Sequence, residues 1–314
     1  MRLDTFSHVD FQAELDGVAD DICPHLTKGK VATYIPALAS QRADAFAIAL
    51  TTLRGETFAA GEGDTPFSIQ SVSKVFSLVL ALEMGGEDLW ARVGREPSGS
   101  PFNSVVQLEK EEGRPRNPFI NAGAIVVADT IISHCGASQG IDRLTDFIHT
   151  CAASKSIAVN AEVAASEAAY GDRNRALAYF MKSFGIVQND VPEVLDTYFR
   201  QCALEMSVKQ LARAGLFLAG GGQDPCAGRR ITSHERVDRV NSIMMLCGHY
   251  DRSGEFAFRV GLAGKSGVGG GILAVIPDVG TVAVWSPGLN EAGNSLAGTL
   301  ALEMLSDRVG LNLF

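Results

Sequence analysis

The chain has 314 residues, is 46% hydrophobic and carries a formal net charge of −9, with a pI near 5.2. That acidic balance argues against nucleic acid or an anionic membrane as partner. No apolar stretch approaches the ~20 residues that span a bilayer, and Met1 to His8 offer neither an apolar signal core nor a cleavage site, so the expected compartment is the cytoplasm.

Phe11, Leu15, Val18, Ile22 and Leu26 share one face of a helix expected over about 9–27. Residues 46–52, the turn Arg54-Gly55-Glu56 and residues 57–61 read as a β-hairpin. The run from Phe67 to Leu82 then carries apolar residues at 72, 75, 76, 79, 80 and 82. That is helical spacing with little polar face, which predicts a helix in the middle of the protein. From about 85 to 245 the chain reads as helical and loop-rich, with helices over 122–134, 140–152, 160–184, 190–202 and 207–218. Strand character returns at 256–262, 271–276 and 281–285, and a helix closes the chain at about 291–309.

Two early and three late strands, split by a helical insert, imply an α+β fold with one five-stranded antiparallel sheet built from both chain ends and flanked by helices. No repeat, low-complexity linker or evident boundary divides the sequence. Residues 1–314 are therefore expected to form a single domain. Its sheet lobe takes about 1–70 and 246–314, and its all-helical lobe about 85–245.

Within the expected central helix, Ser71 lies one turn before Lys74. An unpaired ammonium among apolar residues costs several kcal/mol or gives up its proton. A neutral Lys74 amine on the same helix face could take the hydroxyl proton of Ser71. At a helix N-terminus, backbone N–H groups would favour the developing oxyanion. The chain holds 23 serines and 8 lysines, so one such spacing is what chance supplies. A capping serine followed by a solvated lysine competes with the nucleophile reading, and a second element is needed.

Metal chemistry lacks support in the sequence. Cys23, Cys135, Cys151, Cys202, Cys226 and Cys247 contain no Cys-x-x-Cys pair and read as reduced, mostly buried thiols. His8, His25, His134, His149, His234 and His249 are equally dispersed. There is no Gly-x-Ser-x-Gly elbow either, so a serine enzyme here would need lysine or tyrosine for proton transfer. No metal or cofactor is expected.

The second element is Gly264-Lys265-Ser266-Gly267. A phosphate-binding loop is excluded, because its first glycine would fall at Arg259 and the segment runs into a strand rather than a helix. As Lys-Ser-Gly at a sheet edge, it is the variant of Lys-Thr-Gly that accompanies Ser-x-x-Lys in serine β-lactamases and penicillin-binding proteins. The chain more narrowly resembles the serine-dependent glutaminases, over nearly its whole length. The blocks that carry this are Gly29 to Ala39, Phe67 to Phe76, Glu96 to Gly99 with Phe102-Asn103, Asn117 to Ile125, Ser166-Glu167 with Gly171 to Asn174, and Tyr198 before Cys202. Cys247 to Asp251 with Ser253-Gly254, Lys265 to Gly271, and Trp285 to Pro287 with Gly293 to Ser295 complete them.

The resemblance implies a β-lactamase-like, three-layer αβα fold and a single catalytic domain that converts L-glutamine and water to L-glutamate and ammonia. It implies Ser71 as nucleophile, Lys74 as its base, and Tyr34 and Tyr250 as catalytic tyrosines. Gln70, Asn121, Glu167, Asn174 and Tyr198 match substrate-contacting positions, and Val268 matches the residue whose N–H completes the oxyanion hole with that of Ser71. Glu167 is suited to the substrate ammonium; Asn121, Asn174 and Tyr198 are suited to its carboxylate. The lactamase deacylation glutamate and Ser-Asp-Asn motif are not recognisable, which leaves deacylation to a tyrosine–lysine pair. A homodimer or homotetramer is implied too.

Without the resemblance, Tyr34 reads equally as a turn aromatic, Tyr250 as core, Glu167 as a solvated helix charge and Asn121 as a helix cap. Another Ser-Lys acyl hydrolase, a β-lactamase or D-alanyl carboxypeptidase, is the competing function, and a binding domain without chemistry the third.

Overall fold

The computed structural model describes residues 2–98 and 105–313; Gly99, Phe102 and Asn103 of the matching blocks lie outside the described residues. Five strands form the main sheet: β1 (Ala47–Thr52), β2 (Thr57–Gly61), β3 (Ala263–Ser266), β4 (Gly271–Ile276) and β5 (Gly280–Trp285). Their spatial order is β2-β1-β5-β4-β3, every neighbour antiparallel. β1 and β5 run in register from Ala47 opposite Trp285 to Thr52 opposite Gly280. The sheet expected from both chain ends is thus joined at its centre by one strand from each end.

Alternation along the strands creates three layers, because successive side chains leave a strand on opposite faces. Ile48, Leu50, Ile272, Ala274, Val282 and Val284 are buried on one face. They meet Phe11, Leu15, Val18 and Ile22 of α1 (Phe11–Ile22) and the apolar stripe of the closing helix, Leu296–Val309. Ala47, Ala49, Leu273, Val275, Ala283 and Trp285 face the other way, into the larger core. That core includes α2 (Ser73–Gly85), α3 (Asn121–Cys135) and the helix Val208–Ala219. Residues 73–82 of α2 are all buried, as its all-round apolar sequence requires. Among the described residues no helix is long and apolar enough to cross a membrane.

Four expected elements are corrected. Residues 256–262 do not form a strand: Ser253–Val260 is helical, Gly261 terminates it with φ 68°, and the strand follows at Ala263–Ser266. Phe256, Phe258 and Val260 alternate as a strand would, yet Phe258 is 85% exposed while Phe256 and Val260, four apart, are buried. The long helix over 160–184 is two, Ala161–Ala169 and Asp172–Ser183, broken at Gly171, a poor helix former. The closing helix starts at Leu296 rather than 291, where Ser295 accepts a capping bond from the Gly298 N–H. Pro24 turns the end of the first helix into a 3-10 segment, Cys23–Lys28. The helix His234–Cys247 was not anticipated, although Ser233 caps it and Val237, Val240, Met244 and Cys247 repeat at helical spacing.

Candidate active site

Ser71 lies in a 3-10 turn, Gln70–Val72, that leads into α2. Gln70 adopts φ 47°, a conformation that costs energy for a residue with a side chain and that clusters at functional sites. Lys74 is fully enclosed in the first turn of α2. Its Nζ donates to the Phe119 carbonyl (3.2 Å) and to Asn121 Oδ1 (2.8 Å), and lies 5.8 Å from the Tyr198 ring centre. Burial pushes its pKa down to about 8, against the opposing influence of Cys202 and Glu167. A minority of the amine is therefore unprotonated near neutral pH, and that fraction grows as the pH passes 8.

The segment that receives Lys74 is itself fixed. Asn117 Oδ1 accepts from the N–H groups of Phe119 and Ile120, so Asn117, not Asn121, supports the start of α3. Asn121 opens that helix and turns its amide into the site. Its Oδ1 accepts from Lys74 Nζ, and its Nδ2 donates to Asn174 Oδ1 at 3.0 Å.

β3, at the edge of the sheet, supplies the other wall. The loop that follows is pressed against residues 68–71. A Cβ on Gly267 would lie 2.6 Å from the Ile69 carbonyl and 3.1 Å from the Ser71 nitrogen; one on Gly269 would lie 2.2 Å from the Ser68 carbonyl. Only glycine permits that approach, and it brings Val268 into the cavity lining beside Ser71. Tyr250 is buried with φ 57°, and its hydroxyl faces the neighbourhood of Ser71 and Ser266. Burial raises it to about 12, against the opposing influence of Ser71. Lys265 donates to the carbonyls of Gly248 (3.0 Å) and Ser266 (2.6 Å), with its Nζ 4.6 Å from the Tyr250 ring centre. Desolvation, with Lys74 second, holds it well below the usual lysine range.

A cavity of about 110 Å³ opens between these walls, lined by Ser71, Gln70, Asn121, Glu167, Asn174, Tyr198, Val268 and Tyr34. Glu167 is buried, not the solvated helix charge that its alanine-rich surroundings suggested. Desolvation raises its carboxyl to about 7, against the opposing influence of Gln70 and the nearby Lys74. Gln70 Nε2 donates to Ser68 Oγ. Tyr198 is buried and is raised well above the normal tyrosine range by burial first, then by the neighbouring Cys202 and Glu167. Tyr34 is 55% exposed, yet its hydroxyl is raised by desolvation, then by Tyr250, Glu167 and Cys202. It lines the mouth of the cavity. Every residue expected in the site contributes to this one cluster.

Ile35, Tyr170, Arg173 and Cys202 also line the cavity and were not singled out. Arg173 had a signal, its place between Asp172 and Asn174; Cys202 had one in sitting a helical turn after Tyr198. Among the described residues no group of His, Cys, Asp or Glu could hold a metal ion. The ensemble of a buried amine of lowered basicity, a serine hydroxyl near a tyrosine, and one acid facing neutral amides suits acyl transfer from a small zwitterion to the serine.

Comparison with known proteins converges. The family model described as Glutaminase matches residues 29–314. The chain is 54% identical over 305 residues to a glutaminase of Rhizobium meliloti (strain 1021), covering 97% of each chain. It is 53% identical to a thermolabile glutaminase of Rhizobium etli, covering 97% of this chain and 99% of that one. Among solved structures, the probable glutaminase ybaS superposes with TM-score 0.91 at 37% identity, over 98% of this chain and 99% of that one. A probable glutaminase from Bacillus subtilis complexed with 6-diazo-5-oxo-L-norleucine gives 0.88 at 30% identity, over 98% of each.

Proposed function

The chain belongs to the serine-dependent glutaminase family, with its β-lactamase-like fold and glutaminase activity, and from that premise we propose that it turns L-glutamine over through an acyl-enzyme on Ser71. Ser71 Oγ attacks the δ-amide carbon while the neutral Lys74 amine takes its proton. The oxyanion is held by the backbone N–H groups of Ser71 and Val268. Collapse breaks the C–N bond, and a tyrosine hydroxyl protonates the departing ammonia. The nearness of Tyr250 to Ser71 supports Tyr250 in that role, with Tyr34 lining the mouth. Water then attacks the γ-glutamyl ester and the same groups work in reverse, releasing glutamate and restoring Ser71–OH.

Substrate recognition follows from charge. The buried Glu167 carboxylate pairs with the α-ammonium, whose arrival favours ionisation of a carboxyl otherwise near 7. Asn121, Asn174 and Tyr198 hold the α-carboxylate, and Gln70 steadies Glu167 from behind. The observation that carries the mechanism is the enclosed Lys74, one turn from Ser71 and lowered to about 8. The whole chain is read as a single catalytic domain, its sheet and helical lobes each supplying one wall. All six cysteines are free, which fits a reducing cytoplasm, and family membership supports a homodimer or homotetramer.

The deciding experiment is Ser71→Ala with a diazo-ketone glutamine analogue. We expect the variant to lose all but a few per cent of turnover while keeping its fold and glutamate binding. Mass spectrometry should find the adduct of the unmodified enzyme on Ser71. Retained turnover or an adduct elsewhere would exclude the acyl-enzyme. Ammonia release from glutamine, run beside nitrocefin hydrolysis, separates this reading from a β-lactamase.

A further inference from the structure

The segment that meets Lys74 is governed by a residue outside the cavity. Asn117 is 1% exposed and is not among the residues that line the space beside Ser71. Both polar atoms of its amide are engaged. Oδ1 accepts from the N–H groups of Phe119 (3.0 Å) and Ile120 (3.1 Å), and Nδ2 donates to the Glu96 carbonyl at 2.9 Å. Glu96 is fixed in turn: its N–H donates to the Arg116 carbonyl at 2.9 Å, and the Gly94 N–H to that of Pro115 at 2.8 Å. The first turn of α3 presses on the same loop. A Cβ on Gly123 would lie 1.9 Å from the Asn117 carbonyl oxygen, so only glycine fits there.

This bracing fixes the two acceptors that Lys74 meets. Phe119 presents its carbonyl to Nζ at 3.2 Å, and Asn121, two residues on, presents Oδ1 at 2.8 Å. An ammonium has three N–H donors and no acceptor; loss of one proton leaves two donors and a lone pair. Two acceptors therefore engage both N–H groups of the neutral amine, and the lone pair is the one position left open. With an acceptor missing, the amine could turn about its Cε–Nζ bond and put an N–H group where the lone pair is needed.

We propose that Asn117 is a positioning residue for the base: by holding the Phe119 carbonyl and the start of α3, it keeps both N–H groups of the neutral Lys74 amine engaged and the lone pair free to take a proton. The inference rests on the reading of Lys74 as the base that serves Ser71. Asn117 acts only through residues 119–121 and touches neither substrate nor the reacting atoms.

The test is the pH profile of kcat in Asn117→Ala and Asn117→Ser, with thermal melting to confirm folding. At saturating glutamine the bound ammonium holds Glu167 ionised, so the rising limb belongs to Lys74. Alanine leaves both N–H groups of the loop uncapped, whereas the shorter serine side chain can cap one. Asn117→Ala should lower the plateau kcat by between about tenfold and about a hundredfold, the scale of a misplaced catalytic group. Its limb should also move down by about one pH unit from that of the unmodified enzyme, because an ammonium that loses an acceptor holds its proton less tightly. Glu167, Cys202, Tyr198 and Lys265 also face Lys74, and none of them is altered. Asn117→Ser should lie between Asn117→Ala and the unmodified enzyme on both measures, and it decides alone if Asn117→Ala does not fold. A residue that merely supports the fold would lower activity by one factor at every pH, so an unmoved limb in a folded variant overturns the proposal. An unchanged plateau kcat does the same. Lys74→Arg separates the two failures. If that variant is active, the reading of Lys74 as base and this inference fall together. If it is inactive while the Asn117 variants keep the limb of the unmodified enzyme, this inference alone fails.

Discussion

Lys74 and Glu167 are driven in opposite directions by the same cause, removal from water, and the enzyme uses both shifts. Glu167 near 7 must ionise to hold the substrate ammonium, and Lys74 near 8 must lose its proton to act as base. We expect kcat/KM to rise with pH through both steps. In Glu167→Gln the lower step should vanish and the limb near 8 should remain. Lys74→Arg should lose about 10²–10⁴-fold in kcat, because guanidinium keeps its proton; an active variant would remove Lys74 from the role of base. Glu167→Gln should raise KM by about 30-fold or more, the equivalent of about 2 kcal/mol at the low end for losing a buried charge partner. The same change should stabilise the free protein. A carboxyl raised from 4.5 to about 7 binds its proton more tightly folded than unfolded, so it leaves stability intact below 4.5 and costs it progressively from 4.5 to 7. Above pH 7 that cost is on the order of 3 kcal/mol, and Glu167→Gln removes it. A melting temperature at pH 8 no higher than that of the unmodified protein would contradict the burial argument.

The loop between β3 and β4 decides where Val268 sits, and it does so by backbone contact rather than by side chains. Trp285 Nε1 donates to the Gly269 carbonyl at 3.0 Å and its ring stacks on Phe67 at 5.2 Å, which ties the loop to the strand that precedes Ser71. Gly269→Ala should push this loop off the Ser68 carbonyl and lower kcat by about 10²–10³-fold, as loss of an oxyanion donor does, with glutamate binding largely kept. Equal kcat in this variant would mean that Val268 does not serve the oxyanion. The sequence made the Lys-Ser-Gly edge legible but misplaced the element before it. Phe256, Phe258 and Val260 alternate at the strand period, while Phe256 and Val260 alone fit a helix face, and only packing, which leaves Phe258 exposed, chose between them. The burial of Glu167 was likewise hidden, because its alanine neighbours read as a bland helix face. What encloses it comes from distant segments, among them Gln70 and Lys74.

At the scale of the molecule, the strand alternation that builds three layers was legible in outline, since each chain end carries its own short apolar runs. Their order in space was not. Nothing in residues 46–61 says that β1 pairs with β5 and leaves β2 outermost; that follows from matching buried faces across the whole chain. The helix Val208–Ala219 came out with its bounds almost as read, yet its place against the sheet depended on a long-range fit of the same kind. The pairing of Ala47 with Trp285 also sets a schedule for synthesis. At about 5–20 residues per second, the first hairpin is complete between about 11 and 45 s before its central partner exists. Through that interval the buried faces of Ile48 and Leu50, and the open hydrogen-bonding edge of β1, have no strand to meet. Ribosome-arrested chains ending before Thr281 should be inactive and rapidly cut by protease, and extension past Phe314 by a linker that clears the exit tunnel should confer both activity and resistance. The stage at which this protein most needs shelter from aggregation is therefore its translation, when its earliest strands wait for its last.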